Sequence, residues 1–285
     1  MKRLFVFLGM LLTTFGTQAQ HLEKGLLWKI SGKEIKQPSY LFGTVHITCN
    51  AIIDENVVSA LNATRQLYLE VDMDDPALPS KMMSGILMKD GNKISAMASA
   101  EDYALLDTFL TEKLSMPLAL ADRFKPALLS MMLTNVVLDC QPQSYEQELM
   151  QVAKANNEEI YGLESIADQM AVFDEIPYDK QLEELIKMAK GNLAKEKEDF
   201  IKLLEVYNSK DLNKIMKLVK EQDSEITGNE DIMLNDRNKK WVPEIIAAAK
   251  NTPTFFAVGA AHLGGENGVI VLLRKQGYTV EAVSN

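Results

Sequence analysis

Histidine is scarce in this chain of 285 residues, which holds only His21, His46 and His262. Imidazole chemistry therefore has few places to arise. Cysteine is scarcer still, with Cys49 and Cys140 alone. The two can pair in an oxidising compartment or stand as two buried thiols. Sequence leaves both open, because it does not say whether their Cα atoms approach within about 7 Å. An excess of positive charge is also missing, since 30 Lys and Arg face 40 Asp and Glu for a formal net charge of −10. Nucleic acid and anionic membrane surfaces are poor partners for such a chain. No repeat or low-complexity segment occurs, and beyond the amino terminus no apolar run approaches the roughly 20 residues of a membrane span. What remains is an ordinary globular composition, 47% hydrophobic and 25% charged, long enough to bury a sizeable core.

The amino terminus departs from that even composition. Met1-Lys2-Arg3 precedes an apolar run from Leu4 to Leu12, and Thr17-Gln18-Ala19 offers small residues at the −3 and −1 positions of a cut. This is the pattern of a secretory signal peptide over residues 1–19. No Cys follows the apolar run, so a lipid anchor is not expected. The expectation is an exported protein, periplasmic or secreted, without a membrane anchor after cleavage and with a net charge of −12 once Lys2 and Arg3 are lost. Residues 20–285 are expected to form a single domain, and His21, beside the cut, reads as incidental.

The other two histidines share a setting. Ser39-Tyr40-Leu41-Phe42-Gly43-Thr44-Val45-His46 reads as a buried strand that turns sharply at Gly43 and delivers His46 at its carboxyl end. Thr254-Phe255-Phe256-Ala257-Val258 runs into Gly259-Ala260-Ala261-His262 in the same way. With 15 Gly in the chain, a Gly three positions ahead of a given His is roughly a 5% coincidence, so finding it twice points to one shared site. In α/β folds that end of the strands is where ligands bind.

The surrounding periodicities predict an α/β fold. Its centre is a mixed sheet with two Gly-x-x-His strand ends, separated by a large helical section over about residues 76–250. Gly25-Leu26-Leu27-Trp28-Lys29-Ile30 forms a hairpin with the Tyr40 strand. Gln66-Leu67-Tyr68-Leu69-Glu70-Val71-Asp72 closes a strand–helix–strand unit that sets Glu70 beside the His46 strand. In the helical section Leu105, Leu106, Phe109 and Leu110 recur at helical spacing, as do Leu182, Leu185, Ile186 and Ala189. Ser144-x-x-Gln147 reads as a capping box, and Glu159-Ile160-Tyr161-Gly162-Leu163-Glu164 returns as a strand. The 15 methionines, several within residues 81–97 and 130–133, read as core filling.

The candidates gathered at one sheet edge are His46, Glu70, Glu164 and His262. Imidazole with carboxylate suits a divalent first-row ion such as Mn²⁺, Fe²⁺, Co²⁺ or Zn²⁺, which lowers the pKa of a bound water towards ~7. The metal-free alternative uses His46 as a general base. Glu164 precedes Ser165 and a helix amino terminus, which favours a charged carboxylate and a ligand role. Glu70, walled by Leu69 and Val71, is expected to have a raised pKa and to handle protons.

Together with Leu27-Trp28-Lys29-Ile30, Gln169, Arg237-Asn238, Leu263 and Gly277-Tyr278, these motifs resemble the TraB/GumN family from about residue 24 onward. That family is similar to the Tiki proteins, membrane-tethered metal-dependent proteases that use divalent ions such as Mn²⁺ or Co²⁺. The resemblance implies metal or catalytic roles for His46, Glu70, Glu164 and His262, and a substrate-binding role for Arg237 and Asn238. It also implies a metal-dependent hydrolase acting on peptides, which the signal-like start makes an exported one, with a peptide or small-molecule substrate as its partner. The alternative is a binding protein that sequesters a peptide or a haem-like ligand without turnover. The chain departs from the Tiki pattern in showing no tether.

Overall fold

A strand enclosed on both faces belongs at the centre of a sheet, and Thr254–Gly259 (β5) has that character, with Phe255, Phe256 and Val258 fully buried. The computed structural model describes residues 22–221, 224, 226 and 228–284. The expected signal peptide and His21 lie outside the described residues. Besides β5 the strands are β1 (Leu27–Ser31), β2 (Ser39–Thr44), β3 (Gln66–Val71), β4 (Glu159–Glu164) and β6 (Thr279–Ala282). They form one mixed sheet in the order β4-β3-β5-β2-β1-β6.

The expected hairpin is present, with Leu27 opposite Phe42 and Ile30 opposite Ser39 in antiparallel register. Strands β2, β5, β3 and β4 run parallel, and β6 closes the far edge antiparallel to β1. One neighbour differs from expectation. Helix α1 (Glu55–Asn62) does connect β2 to β3, but β3 does not lie beside β2. Strand β5 separates them, pairing Phe255 with Tyr40 on one side and with Leu67 on the other. Thr254 enters this slot 188 residues after its partner Gln66, a distance that local periodicity does not span.

Between β3 and β4 the chain folds into α2 (Leu78–Gly85), α3 (Ile94–Met97), α4 (Ala100–Leu114), α5 (Leu118–Ala121), α6 (Pro126–Thr134) and α7 (Tyr145–Ala155). Between β4 and β5 come α8 (Ile166–Val172), α9 (Tyr178–Gly191), α10 (Ala194–Asn208), α11 (Leu212–Glu221) and α12 (Asp236–Asn251). Helix α13 (Val269–Lys275) leads into β6. The expected helical faces pack as a core of their own, in which Leu106, Phe109, Leu110, Leu182, Leu185 and Ala189 are buried. None of the described helices is long and apolar enough to cross a membrane.

Two local expectations are corrected. Ser144 does precede α7, but its hydroxyl makes no cap: it donates to Glu146 Oε2 at 2.6 Å, a stronger partner because the acceptor is ionised. The methionines divide. Met88 is core, whereas Met82, Met83, Met131 and Met132 are 41–60% exposed. Helix α2 buries none of its residues and meets α8 at Gly85, where a Cβ would stand 2.7 Å from Met170 Cγ.

The cysteine alternatives resolve to a disulfide between Cys49 and Cys140, with Cα atoms 5.7 Å apart. Closing a loop of 91 residues restricts the unfolded chain, and the chain-entropy model gives about 4.6 kcal/mol for it. Urea denaturation of the native protein and of a Cys49→Ser, Cys140→Ser variant should therefore differ by about 4–5 kcal/mol in favour of the bridged form. Equal midpoints would show that the bridge does not constrain the fold.

Candidate functional site

The site begins with two glycines that make room for each other's motif. Gly43 does not turn the chain: it continues β2, and a Cβ there would stand 3.0 Å from Ala260 Cα and 2.9 Å from Leu263 Cδ1. Ala260 opens the single 3₁₀ turn Ala260–His262 that follows β5. Gly43 thus lets the second motif's turn settle onto the first motif's strand. Gly259 returns the favour, since a Cβ on it would lie 3.3 Å from Glu70 Oε1 and 3.4 Å from His46 Nε2. Its φ of −51° suits any residue, so what it supplies is space. His46 itself lies two residues past the end of β2, and His262 closes the turn after β5.

Each imidazole is held from behind. His46 Nδ1 lies 2.9 Å from Glu146 Oε1, and a carboxylate can only accept, so Nδ1 carries the hydrogen and Nε2 faces inward. Glu146 in turn accepts from Thr44 Oγ1 at 2.7 Å. His262 Nδ1 lies 2.7 Å from Asn238 Oδ1, whose amide donates from Nδ2 to the Asn267 carbonyl at 3.0 Å. Nδ1 of His262 is therefore also the donor, and Trp241 lies against the ring at 4.4 Å between centroids. The two rings differ in access: the His46 side chain is 60% exposed, that of His262 only 5%.

Both inner nitrogens approach one oxygen. Glu70 Oε1 is 3.7 Å from His46 Nε2 and 3.8 Å from His262 Nε2, and it accepts from the Gly259 N–H at 2.8 Å. Glu70 Oε2 accepts from Arg237 Nη2 at 2.7 Å and from Gln169 Nε2 at 3.2 Å. Glu164 joins from the other side. Its oxygens accept from Arg237 Nη2 at 2.6 Å, from Arg237 Nε at 3.1 Å and from Trp241 Nε1 at 3.1 Å. Arg237 Nη1 is shared between the Met233 carbonyl and His262 Nε2, both at 3.1 Å.

The electrostatics follow from these contacts. Desolvation lowers the pKa of His46, but the Glu146 hydrogen bond and the charges of Glu70 and Glu146 carry it up to about 9. Burial takes His262 down to about 3, so that ring stays neutral at ordinary pH. At Glu70 burial opposes ionisation and is outweighed by His262, His46, Arg237 and the Gly259 N–H, leaving the carboxyl well below its usual range. The His262 share acts only where that ring is protonated. Burial raises the Glu164 pKa, and Arg237 offsets only part of the rise.

All four gathered residues therefore meet, but the two glutamates stand the other way round from expectation. Glu70 is the strongly ionised one beside both imidazoles, because Arg237 and the rings reach it from distant segments and outweigh its apolar strand neighbours. Glu164 has both oxygens engaged by Arg237 and Trp241. Arg237 and Asn238 are 7% and 1% exposed and bond to the site's own residues. Glu146, Thr44 and Trp241 were not among the expected site residues. Thr44 could have been found inside the first motif, while Glu146, 100 residues from His46, carries no local signal.

Among the described residues no group of three or more His, Cys, Asp or Glu is drawn together tightly enough to be a formed metal cluster. The donor chemistry nevertheless fits an ion. Two imidazoles tied at Nδ1 turn Nε2 towards one carboxylate oxygen, and an unoccupied Cβ position at Gly259 opens beside them.

A model of the TraB/PrgY/gumN family matches residues 26–282 of this chain. The chain is 23% identical over 317 residues to a protein of Danio rerio named Metalloprotease TIKI2, covering 90% of this chain and 60% of that one. A Metalloprotease TIKI homolog of Amphimedon queenslandica is 22% identical, over 92% of this chain and 62% of its own. Metalloprotease TIKI1 of Homo sapiens is 23% identical, over 86% and 59%. The chain thus spans about 60% of the length of these curated relatives. No solved structure matches it significantly.

In the metal-free protein, ¹⁵N NMR should show His46 losing its proton near pH 9 while His262 stays neutral down to about pH 3. The pairing of His46 with its carboxylates then stabilises the fold fully below the ordinary imidazole pKa of about 6.5 and fades as pH rises through about 9. Two rings titrating together near pH 6.5 would refute this arrangement. The glycines give a second test. Gly43→Ala should cost about 1–3 kcal/mol in urea denaturation, because Ala260 backbone must move. Gly259→Ala should cost less and instead shift the His46 ring resonances.

Proposed function

The chain belongs to the TraB/PrgY/gumN family, and from that premise we propose that it is a metal-dependent hydrolase acting on peptides. One observation carries the reading: two imidazole nitrogens, each fixed from its far side, converge on Glu70 Oε1 at 3.7 and 3.8 Å. His46, His262 and Glu70 would hold a divalent ion such as Mn²⁺, Co²⁺, Fe²⁺ or Zn²⁺. When bound, the ion supplies a polarised water of lowered pKa and a Lewis acid for a carbonyl. The peptide class is suggested by the relatives, which are named metalloproteases.

The protein's own residues set the geometry. His46, exposed on one side, faces arriving substrate, while buried His262 forms the back of the site. Arg237 anchors Glu70 through Oε2 and so leaves Oε1 turned to the rings. With an ion held by His262, Arg237 Nη1 would keep the Met233 carbonyl as partner. Glu164 balances the charge of Arg237 and receives Trp241 Nε1, holding the guanidinium in place. Arg237 and Asn238 act here as positioning residues. Residues 20–285 work as one domain, and the signal-like start together with the disulfide supports an exported, periplasmic or secreted protein.

A second reading is favoured by a single contact, Arg237 Nη1 at 3.1 Å from His262 Nε2. If that bond persists, the ring's lone pair is occupied and the site sequesters a peptide or haem-like ligand without turnover. Metal analysis separates the two. Protein loaded with Mn²⁺, Co²⁺ or Zn²⁺ should retain the ion and cleave members of a peptide library, and both properties should vanish in a His46→Ala, His262→Ala variant. Glu70→Gln should lose the ion, whereas Glu164→Gln should keep most of it. Negligible metal in wild type and double variant alike would remove the hydrolase reading, and intact peptide recovered from metal-loaded protein would favour sequestration.

A further inference from the structure

Glu146 is a buried acid, 6% exposed, marked by neither the paired motifs nor the family resemblance. Its oxygens are fully engaged. Oε1 accepts from Thr44 Oγ1 at 2.7 Å and from His46 Nδ1 at 2.9 Å, and Oε2 accepts from Ser144 Oγ at 2.6 Å. It stands in the first turn of the 11-residue helix α7, where exposed amides favour a charged carboxylate.

The segment carrying Glu146 is fastened to the segment carrying His46 by three independent links. Cys140 is bonded to Cys49. Thr48 and Gln143 exchange backbone hydrogen bonds of 3.0 and 2.8 Å, and the Gln143 side chain accepts from Ala51 N at 2.9 Å. These links lie within a few residues of the His46–Glu146 contact, just after His46 in one segment and just before Glu146 in the other. A histidine on an exposed loop would otherwise choose between two tautomers and several ring orientations.

We propose that Glu146 is the positioning residue of His46, turning Nε2 of that ring towards Glu70, and that the Cys49–Cys140 bridge is the tether that keeps the carboxylate at the ring. The metal-affinity side of this proposal rests on the reading of His46 as a ligand; the placement of the ring does not. An ion-binding imidazole typically relies on such a carboxylate behind it, and removing the partner weakens binding by about 10–100-fold.

The experiment uses the full chain in two arms. In metal-free protein held at pH 10, ¹⁵N spectra of neutral His46 should show the Nδ1–H tautomer in wild type and a mixture in Glu146→Ala and Glu146→Gln. In the second arm, Co²⁺ is titrated against a chromophoric chelator. Glu146→Ala should bind about 10–100-fold more weakly, with Glu146→Gln in between and circular dichroism unchanged. The Cys49→Ser, Cys140→Ser variant should also bind more weakly, and adding Glu146→Ala to it should cost less than it does in wild type, since both changes release the same ring. If wild type binds no Co²⁺, the metal reading fails and the nitrogen spectra alone decide the positioning role. An unaltered His46 tautomer in both Glu146 variants overturns it, and full additivity with the cysteine changes overturns the tether.

Discussion

Everything at this site depends on how closely β2 and β5 approach at their carboxyl ends. Gly43 admits the turn that carries His262, and Gly259 admits His46 and Glu70. A methyl group at either glycine would fill space that the opposite motif already uses. Neither residue is there for an unusual backbone angle. The repeated Gly-x-x-His pattern is thus one packing solution written twice, Gly259 supplying room for the His46 ring and Gly43 for the turn that carries His262.

Around that contact the polar groups form a closed circuit centred on Arg237. Its guanidinium binds Glu70, Glu164, the Met233 carbonyl and His262, and lies over the Trp241 ring at 4.7 Å. Burying an arginine with two carboxylates contributes little net stability, because desolvation offsets much of the attraction. Its contribution is geometric. A planar fork with fixed donor directions sets two carboxylates at defined angles, and Glu70 is thereby left with one oxygen facing the rings. The segment before α12 winds as a π turn over Asp231–Asn235, and its Met233 carbonyl is one of the groups that Arg237 fills.

Much of this was legible in the sequence because it rests on short-range pattern. The β1–β2 hairpin, the strand at β4, the two helical faces in the second core and the meeting of His46, Glu70, Glu164 and His262 all follow from periodicity and from the rarity of histidine. The order of the sheet did not follow, since β5 claims the place between β2 and β3 by an apolar character that acts across the whole chain. The roles of the glutamates were also hidden. Leu69 and Val71 suggest an apolar cage for Glu70, yet its ionisation is set by His262, His46 and Arg237, the last of them 167 residues away. Glu146 left no trace, because a single acid in the first turn of an amphipathic helix looks like any dipole-compensating residue. The exposed methionines misled for a similar reason: helical spacing tells which residues share a face, but not whether another layer covers it.

The insertion of β5 has a consequence for the order in which the molecule can be made. A chain emerging amino end first presents β2, α1, β3 and β4 long before β5 exists, and β2 and β3, the two strands that will flank it, have facing edges left unpaired until then. They must stay apart, or separate again, until Thr254–Gly259 is delivered. Native pairing across the centre of the sheet is therefore among the last events, and it depends on contacts remote in sequence, which form slowly and leave strand edges open meanwhile. The helical section made in the interval has its own core and can form while the slot is still open. The cluster of His46, Glu70 and His262 then comes together only when β5 arrives, so an unfinished chain carries His46 and Glu70 without the imidazole that completes them.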